Sequence, residues 1–381
     1  MQENSLATVP WHGPSLNEEV SMNPFRLPRW RFMNCCGHTW GHGAEPGREP
    51  GASTTSRREF FRMAATGAAG LTAMATLKDT AAAQVRVFPP PPPSVSPIEG
   101  LIDFHNHCAP DVFGRAVDDD EMAQLYIGRK MEAVVLKNHV ALTADRAWLV
   151  RKHNPGIKAF GGVTLNGAAG GINPEAVQWM WRMQGGYGRV VWLPTFDADN
   201  HVKHFKDAPE GIKVVGPDGK ALPALREVLK VCAQQKLVLC TGHASPPEVL
   251  AIVEAARDAG CDRIVVTHAE FEVVNMTIDQ MKKAASMGAK MEIDAMGPLM
   301  GPSAHLGWMR HWRQVTYKES AEHIKGVGAE HFVLGTDLGQ TGNPSQPDGY
   351  AMLVAGLMSQ GISKEQIKLM GRETPGKLLM G

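Results

Sequence analysis

Residues 98–381 are expected to fold as a (β/α)8 barrel with a small inserted hairpin and a long loop after the seventh strand. Two observations predict this. Short apolar runs alternate with helical segments from residue 98 onward, the pattern of parallel strands joined by helices. Four of those runs also end in a metal-ligand residue type, and only a barrel brings the carboxyl ends of distant strands to one face.

The eight strand candidates are 101–106, 132–137, 158–164, 189–194, 236–241, 262–267, 289–294 and 331–336. Helix starts fall between them. Ser245-Pro246-Pro247-Glu248 and Thr277 with Gln280 read as capping boxes, while Asn173-Pro174 and Thr374-Pro375 place a cap before proline. Thr143 and Ser363 open two further helices. Two stretches interrupt the repeat. Residues 200–220, with His201, His204 and the turn Pro217-Asp218-Gly219, read as an inserted hairpin; residues 297–316 form the long connection after the seventh strand.

The segment before the barrel reads differently. Residues 1–55 are rich in Gly, Pro, Trp and polar residues without periodicity, and are expected to be disordered or to precede the true start, for instance at Met33. Residues 56–83 read as a twin-arginine export signal: Arg57-Arg58, a weakly apolar run from Met63, then Ala81-Ala82-Ala83 as a small-residue cleavage site. Residues 84–97, with prolines 89–93, follow as a stiff linker. Cleavage after Ala83 leaves a chain somewhat longer than the roughly 250 residues of a plain barrel. The expected location is therefore periplasmic or secreted, with the twin-arginine translocase as a transient partner.

Composition narrows the partners. The 381 residues carry 39 Lys+Arg against 39 Asp+Glu, which gives no reason to expect nucleic acid or an anionic membrane. No apolar stretch reaches the roughly 18–20 residues of a membrane span. A small-molecule substrate is the expected partner, and a homo-oligomer is compatible with everything above. The six cysteines do not suggest a disulfide framework: Cys35 and Cys36 precede the cleavage site, and Cys232, Cys240 and Cys261 sit in apolar stretches as buried thiols. Cys108, next to His107, is either a wall residue or a ligand.

The chemistry lies at the strand ends. Leu101-Ile102-Asp103-Phe104-His105-Asn106-His107 ends in His-x-His, and residues i and i+2 of a strand share a face, so two imidazoles point the same way. Lys236-Leu-Val-Leu-Cys-Thr-Gly-His243, Asp262-Arg-Ile-Val-Val-Thr-His268 and His331-Phe-Val-Leu-Gly-Thr-Asp337 repeat the design. Imidazole nitrogen and carboxylate oxygen are the donors a divalent ion takes, with Zn2+ the expected ion and one or two ions per chain.

His-x-His on the first strand, His on the fifth, His on the sixth and Asp on the eighth resembles the pattern of the amidohydrolase superfamily of metal-dependent hydrolases, over roughly residues 98–381. The resemblance implies that His105, His107, His243 and Asp337 hold the metal. It implies that Asp337 takes the proton of the attacking water and passes it to the leaving group. His268 is then a ligand to a second metal or a donor to the developing oxyanion.

One feature departs from that pattern. Binuclear members usually supply a carboxylated Lys or a Glu from the fourth strand, and Val190-Val-Trp-Leu-Pro-Thr-Phe196 has none, with Asp197 the nearest carboxylate. A lysine instead ends the second strand, in Val134-Val-Leu-Lys137-Asn138-His139. Lys137 is a displaced bridging carbamate, a cationic substrate anchor, or a barrel-mouth lysine reaching water, and His139 shares its side if the strand geometry continues. Among weaker candidates, Asp294 is expected to orient a ligand histidine. Glu270 and Glu272 either line the mouth or, as is commoner for charged residues just after a strand, are solvated, and His305 and His311 either touch substrate or are merely exposed.

The function expected is an exported metal-dependent hydrolase of a small molecule with an amide, lactone or ester bond. A decarboxylase or hydratase on the same ligands, a periplasmic metal- or solute-binding protein, and a His-x-His phosphoesterase are the alternatives, the last needing more ligands than four strand ends supply. No Gly-rich phosphate loop of the Walker type is present.

Overall fold

The computed structural model describes residues 96–381; the export signal, its cleavage site and most of the proline-rich linker lie outside the described residues. Eight parallel strands run in sequence order: β1 Ile102–Asn106, β2 Ala133–Leu136, β3 Lys158–Thr164, β4 Gly188–Trp192, β5 Val238–Cys240, β6 Ile264–Val266, β7 Lys290–Asp294 and β8 Phe332–Gly335. The sheet closes on itself through β1 and β8. Thr336 and Asp337 donate their backbone N–H groups to the His105 carbonyl (3.1 and 2.8 Å), and His107 N–H donates to Leu338 O at 2.9 Å. All eight expected strands are found, each within about two residues of its expected ends.

Helices cover the outside: α1 Asp119–Gly128, α2 Ala144–His153, α3 Pro174–Arg182, α4 Asp199–Val202, α5 Pro223–Gln235, α6 Pro246–Asp258, α7 Ile278–Ser286, α8 Tyr317–Val327, α9 Gln346–Ser359, α10 Lys364–Lys368 and α11 Thr374–Met380. The capping boxes at Ser245, Thr277 and Ser363 form, and Asn173 caps α3 through Glu175 N–H. Thr143 precedes α2, but its hydroxyl donates to Leu136 O at 2.7 Å instead of capping. The expected helix start at Thr374-Pro375 is corrected. α10 runs through a π-helical turn, Leu369–Glu373, straight into α11, so Pro375 sits inside a continuous helical path.

Side chains alternate between two cores, as strand pleating requires. Ala133 and Val135, Val190 and Trp192, Val238 and Cys240, Val265, and Val333 form one cluster with Ile102, Phe104 and Phe160 inside the barrel. Leu378 and Leu379 of α11 join it and plug the amino-terminal end. The opposite set, including Val134, Leu136, Val191, Leu239, Val266 and Leu334, packs under the helices. Strict alternation from Ile102 and Phe104 would turn His105 outward, but the pairing of β1 with β2 slips register between Asp103 and Asn106. That irregularity re-aims the end of β1.

The two interruptions are smaller than expected in one case and as expected in the other. The 200–220 segment is α4 followed by one antiparallel bridge, Val215 with Ala221, closed by Gly216 N–H to Lys220 O at 2.8 Å, and so is only partly a hairpin. The connection after β7 carries two short 3-10 turns, Gly297–Leu299 and Trp308–His311. No described helix is long and apolar enough to cross a membrane.

Candidate metal centre

Backbone geometry at the strand ends does much of the positioning. His268 and Asp337, directly after β6 and β8, both adopt left-handed backbone, each with φ of 51°. Non-glycine residues rarely occupy that region, and strain held at a site is stored there by the surrounding structure. Glycine serves the same end at two neighbours. Gly242 (φ 62°) packs so tightly that a Cβ would press into the Pro194 carbonyl, and Gly339 (φ 133°) does so against the His107 carbonyl. Side chains at either position would displace His243 or His107.

The centre itself forms around Asp337. Its Oδ1 lies 3.1 Å from His107 Nε2 and 3.3 Å from His105 Nε2, and its Oδ2 lies 3.6 Å from His268 Nε2. Donors held about 2.1 Å from one ion in a tetrahedral array stand about 3.4 Å apart, so these separations fit one divalent cation. Lys137 enters the same cluster, its Nζ 3.0 Å from His105 Nε2 and 5.8 Å from the Trp192 ring below. At 2% exposure Lys137 is buried on the floor of the barrel mouth and not held out in open solvent.

Behind the imidazoles stands a second layer. His105 Nδ1 is 2.7 Å from Glu292 Oε1, and His268 Nδ1 is 2.8 Å from Asp294 Oδ2. With the carboxylate ionised, Nδ1–H donates to it and the Nε2 lone pair is left facing Asp337, the tautomer a metal ligand needs. In that state His268 presents a lone pair, not a donor, toward Asp337. Asp294 was expected as such a partner; Glu292 was not. Lys290-Met-Glu-Ile-Asp294 does place Glu292 on the face of Asp294, and that i, i+2 spacing was the signal available. These residues form two potential ion-holding groups, His105–His107–Asp337 and His105–His268–Glu292–Asp294.

His243 stands one ring further out and belongs to neither group. Its ring centroid is 5.3 Å from that of His268, its Nδ1 is 2.8 Å from Nδ1 of His201 on α4, and its buried Nε2 has no partner among the described residues. His107 Nδ1 is likewise unpartnered. The open Nε2 of His243, beside a cluster of neutral imidazoles, suits a cationic occupant. His201 was noted in the sequence only as part of the insertion, and no local pattern ties it to His243.

The remaining candidates separate. His139 stacks on His107 at 4.9 Å and on Phe196 at 4.1 Å, with Nδ1 3.0 Å from Thr195 Oγ1, so it lines the approach and is in neither group. Asp197 accepts from Gly167 N–H at 2.7 Å and organises a loop. Glu270 and Glu272 part here: Glu270 is neither solvated nor at the mouth but buried against Ser320 (2.7 Å) and His323 (3.0 Å), whereas half-buried Glu272 lines the mouth of the cavity and accepts from Arg313 N–H at 2.6 Å. Loop packing after β6 overrides the usual exposure of charged residues there. His305 is exposed beside Thr341 O, whereas His311 lines the cavity. Cys108 donates to Asp119 at 2.8 Å and belongs to neither group, as a wall residue should.

Burial sets the charge state. It pushes the Asp337 carboxyl up to about 6 and Asp294 up to about 7, and it drives Glu292 well above the carboxylate range with Asp294 adding to the effect. Burial lowers His268 to about 4 and His105, His107 and His243 well below the imidazole range, so all four rings are neutral at pH 7. Burial also lowers the Lys137 amine, against Asp337, Glu292 and Asp294, which hold it up.

A pH dependence follows. Ion binding needs Asp337 ionised, so below about pH 6 each ion must displace its proton, and the apparent Kd of Zn2+ is expected to rise about tenfold per pH unit. Above that point the slope is expected to ease, because the imidazoles are already neutral, and what remains comes from the buried Glu292 and Asp294. Calorimetric titration of Zn2+ at stepped pH, on the parent and on Asp337→Asn, measures it. An acid slope equal in both proteins would assign the proton to another group.

The centre is the floor of a cavity of about 1190 Å³ at the carboxyl-terminal mouth of the barrel, which His107, Lys137, His243, His268 and Asp337 all line. Comparison with known proteins adds the following. A sequence family of unknown function, DUF6282, matches residues 100–292, a span that holds His105, His107, Lys137, His243, His268 and Glu292. No curated protein matches the chain. Among solved structures, an organophosphorus hydrolase from Deinococcus radiodurans is similar at 16% identity and a TM-score of 0.49, covering 74% of this chain and 93% of its own. An amidohydrolase from Pseudomonas aeruginosa aligns at 12% identity and a TM-score of 0.49, covering 74% and 96%.

Proposed function

We propose that this chain, which belongs to the DUF6282 family, is a metal-dependent hydrolase of amidohydrolase type that cleaves an amide, lactone or ester bond in a small molecule. The observation that carries the reading is the convergence of three imidazole Nε2 atoms on the Asp337 carboxylate within 3.6 Å, at the floor of a large cavity. His105, His107 and Asp337 would hold the divalent ion, with His268 completing the set; His243, with its open Nε2, is placed to serve a second ion. Bound there, the ion would supply a nucleophilic water at neutral pH and polarise the scissile carbonyl.

The protein's own groups do the rest. With their carboxylates ionised, as a bound cation would favour, Glu292 and Asp294 lock the His105 and His268 rings through Nδ1 and keep their Nε2 lone pairs directed at Asp337. Asp337, with its carboxyl near 6, accepts a proton from the attacking water at either oxygen and returns it to the leaving group. A base so poised is ionised at pH 7 yet still a competent acid once protonated. His139 and His201, at the edge of the centre, orient the substrate. Lys137 is either a further ligand, as the amine or its carbamate, or an anchor for an anionic group; the variant that separates these is given in the Discussion.

A screen of amides, lactones and esters with protein loaded with Zn2+ and protein stripped of it is the test. Turnover in the loaded sample alone is expected. Release of CO2 from a carboxylated substrate without net water addition would transfer the site to lyase chemistry, and stoichiometric metal uptake with no turnover across the panel would make it a binding protein.

We also propose export, on the strength of Arg57-Arg58 and Ala81-Ala82-Ala83. The mature amino terminus is expected at Gln84 by terminal sequencing of the exported protein. Paired Arg57→Lys and Arg58→Lys substitutions should hold it in the cytoplasm; unchanged localisation would end the proposal.

A further inference from the structure

The cavity above the metal centre is built from parts of the chain that lie far apart. Phe113 comes from the connection after β1, Phe196 and Phe205 from that after β4, Phe271 from that after β6, and Trp308 and Trp312 from that after β7. Four independent connections each deliver aromatic side chains to one wall. A single apolar segment folding over the mouth would not do this, and apolar surface turned toward a solvent-open space is unfavourable in proportion to its area.

The rings are organised as planes. Phe271 stacks on His268 at 4.6 Å with 6° between the rings, Phe196 on His139 at 4.1 Å with 23°, and Phe205 on His311 at 4.8 Å with 19°. Trp312 stands edge-on to Phe205 at 5.8 Å and lies 5.6 Å from His201. The first two stacks join the wall directly to the centre, because Phe271 rests on a candidate ligand and His139 rests on His107. A molecule lying along them is led to Asp337.

The cationic charge of Arg115 on the wall is answered within the protein, by Asp111 at 2.7 Å, while the carboxylates of Glu272 and Asp197 accept from the backbone N–H groups of Arg313 and Gly167. Lys206 and Asp207, of opposite sign, are exposed at the outer rim. Apart from the metal centre, no buried cation of the wall is left to pair an anionic substrate body, which would be desolvated there without compensation beside Glu272 and Asp197.

We infer that the cavity takes a substrate whose body is a flat, uncharged aromatic system, seated against the Phe196, Phe271 and Trp312 surfaces with its scissile group at the His105–His107–Asp337 centre. This rests on the hydrolase reading for the scissile group, but the aromatic site stands on geometry alone. The cavity, at about 1190 Å³, has room for a fused bicyclic system with a side chain.

The test is binding, read without turnover. Zn2+-loaded full-length protein is titrated calorimetrically with naphthalene-2-carboxamide and with its saturated analogue decahydronaphthalene-2-carboxamide, which share the amide and differ in flatness and π character. The naphthalene compound is expected to bind at least tenfold more tightly. Trp312→Ala and, separately, Phe196→Leu should shrink that ratio to threefold or less with metal content unchanged. Equal binding of the two probes overturns the inference, and so does a ratio that survives in both variants. Tighter binding of ionised naphthalene-2-carboxylate than of the amide overturns the uncharged part. Failure of hydrolysis is separate: a tenfold preference with no turnover of 2-naphthyl acetate sinks the hydrolase reading and leaves the aromatic site, whereas metal-dependent turnover of small aliphatic esters with equal probe binding does the reverse.

Discussion

Asp337→Asn is expected to keep the bound ion and lose about 10²–10⁴-fold in kcat, the usual worth of general acid–base catalysis. The substitution is chosen on two grounds. Asparagine retains an oxygen where Asp337 Oδ1 faces the His105 and His107 nitrogens, at 3.3 and 3.1 Å, so a ligating atom remains. Asparagine also tolerates left-handed backbone better than other side chains, so the φ of 51° at this position is preserved. What is lost is basicity, since the amide does not accept the water proton. Metal content by elemental analysis and kcat on a substrate from the hydrolysis screen are the two readouts. Parental kcat with parental metal would mean that proton transfer runs through another group.

Lys137→Ala is expected to leave the purified protein at least one ion per chain short and to weaken the remaining metal affinity by more than the roughly 10–100-fold that loss of a hydrogen-bond partner behind a ligand costs. Its Nζ stands 3.0 Å from His105 Nε2, the spacing of neighbouring ligands and not of a group waiting at the substrate end of the cavity. Burial at 2% exposure gives the same direction, because it lowers the Lys137 amine toward the neutral form that a ligand or a carbamate requires. Full metal content, with the defect confined to a higher KM for anionic substrates, would assign Lys137 to substrate anchoring.

Much of this was legible along the chain. His-x-His, Thr-Gly-His243, Thr-His268 and Gly-Thr-Asp337 each end an apolar run of strand length, and counting eight such runs was enough for the barrel and hence for convergence of the ends. Asp294 was legible for the same reason, as a carboxylate at the end of a strand facing inward. Glu292 went unread although its spacing from Asp294 was in view, because its partner His105 is 187 positions away and nothing local marks a glutamate inside a strand as buried. Glu270 was not legible because residues after a strand usually meet water, and here α8 packs over it, while Glu272 lines the mouth as its position after β6 allowed.

What the sequence by itself determined is the order and length of the strands, the helix caps at Asn173, Ser245, Thr277 and Ser363, and the residue types delivered to one end of the barrel. These depend on two-residue and 3.6-residue periodicity and on cap chemistry, which act within a few positions of the chain. Only the tertiary structure decided which donors meet. It turned His105 inward through the register slip in β1, drew Lys137 into the centre, moved His243 aside onto His201, and assembled an aromatic wall from four connections. Such pairings are fixed by close packing between segments that share no local signal, so the sequence supplied the ligands and the fold chose their partners.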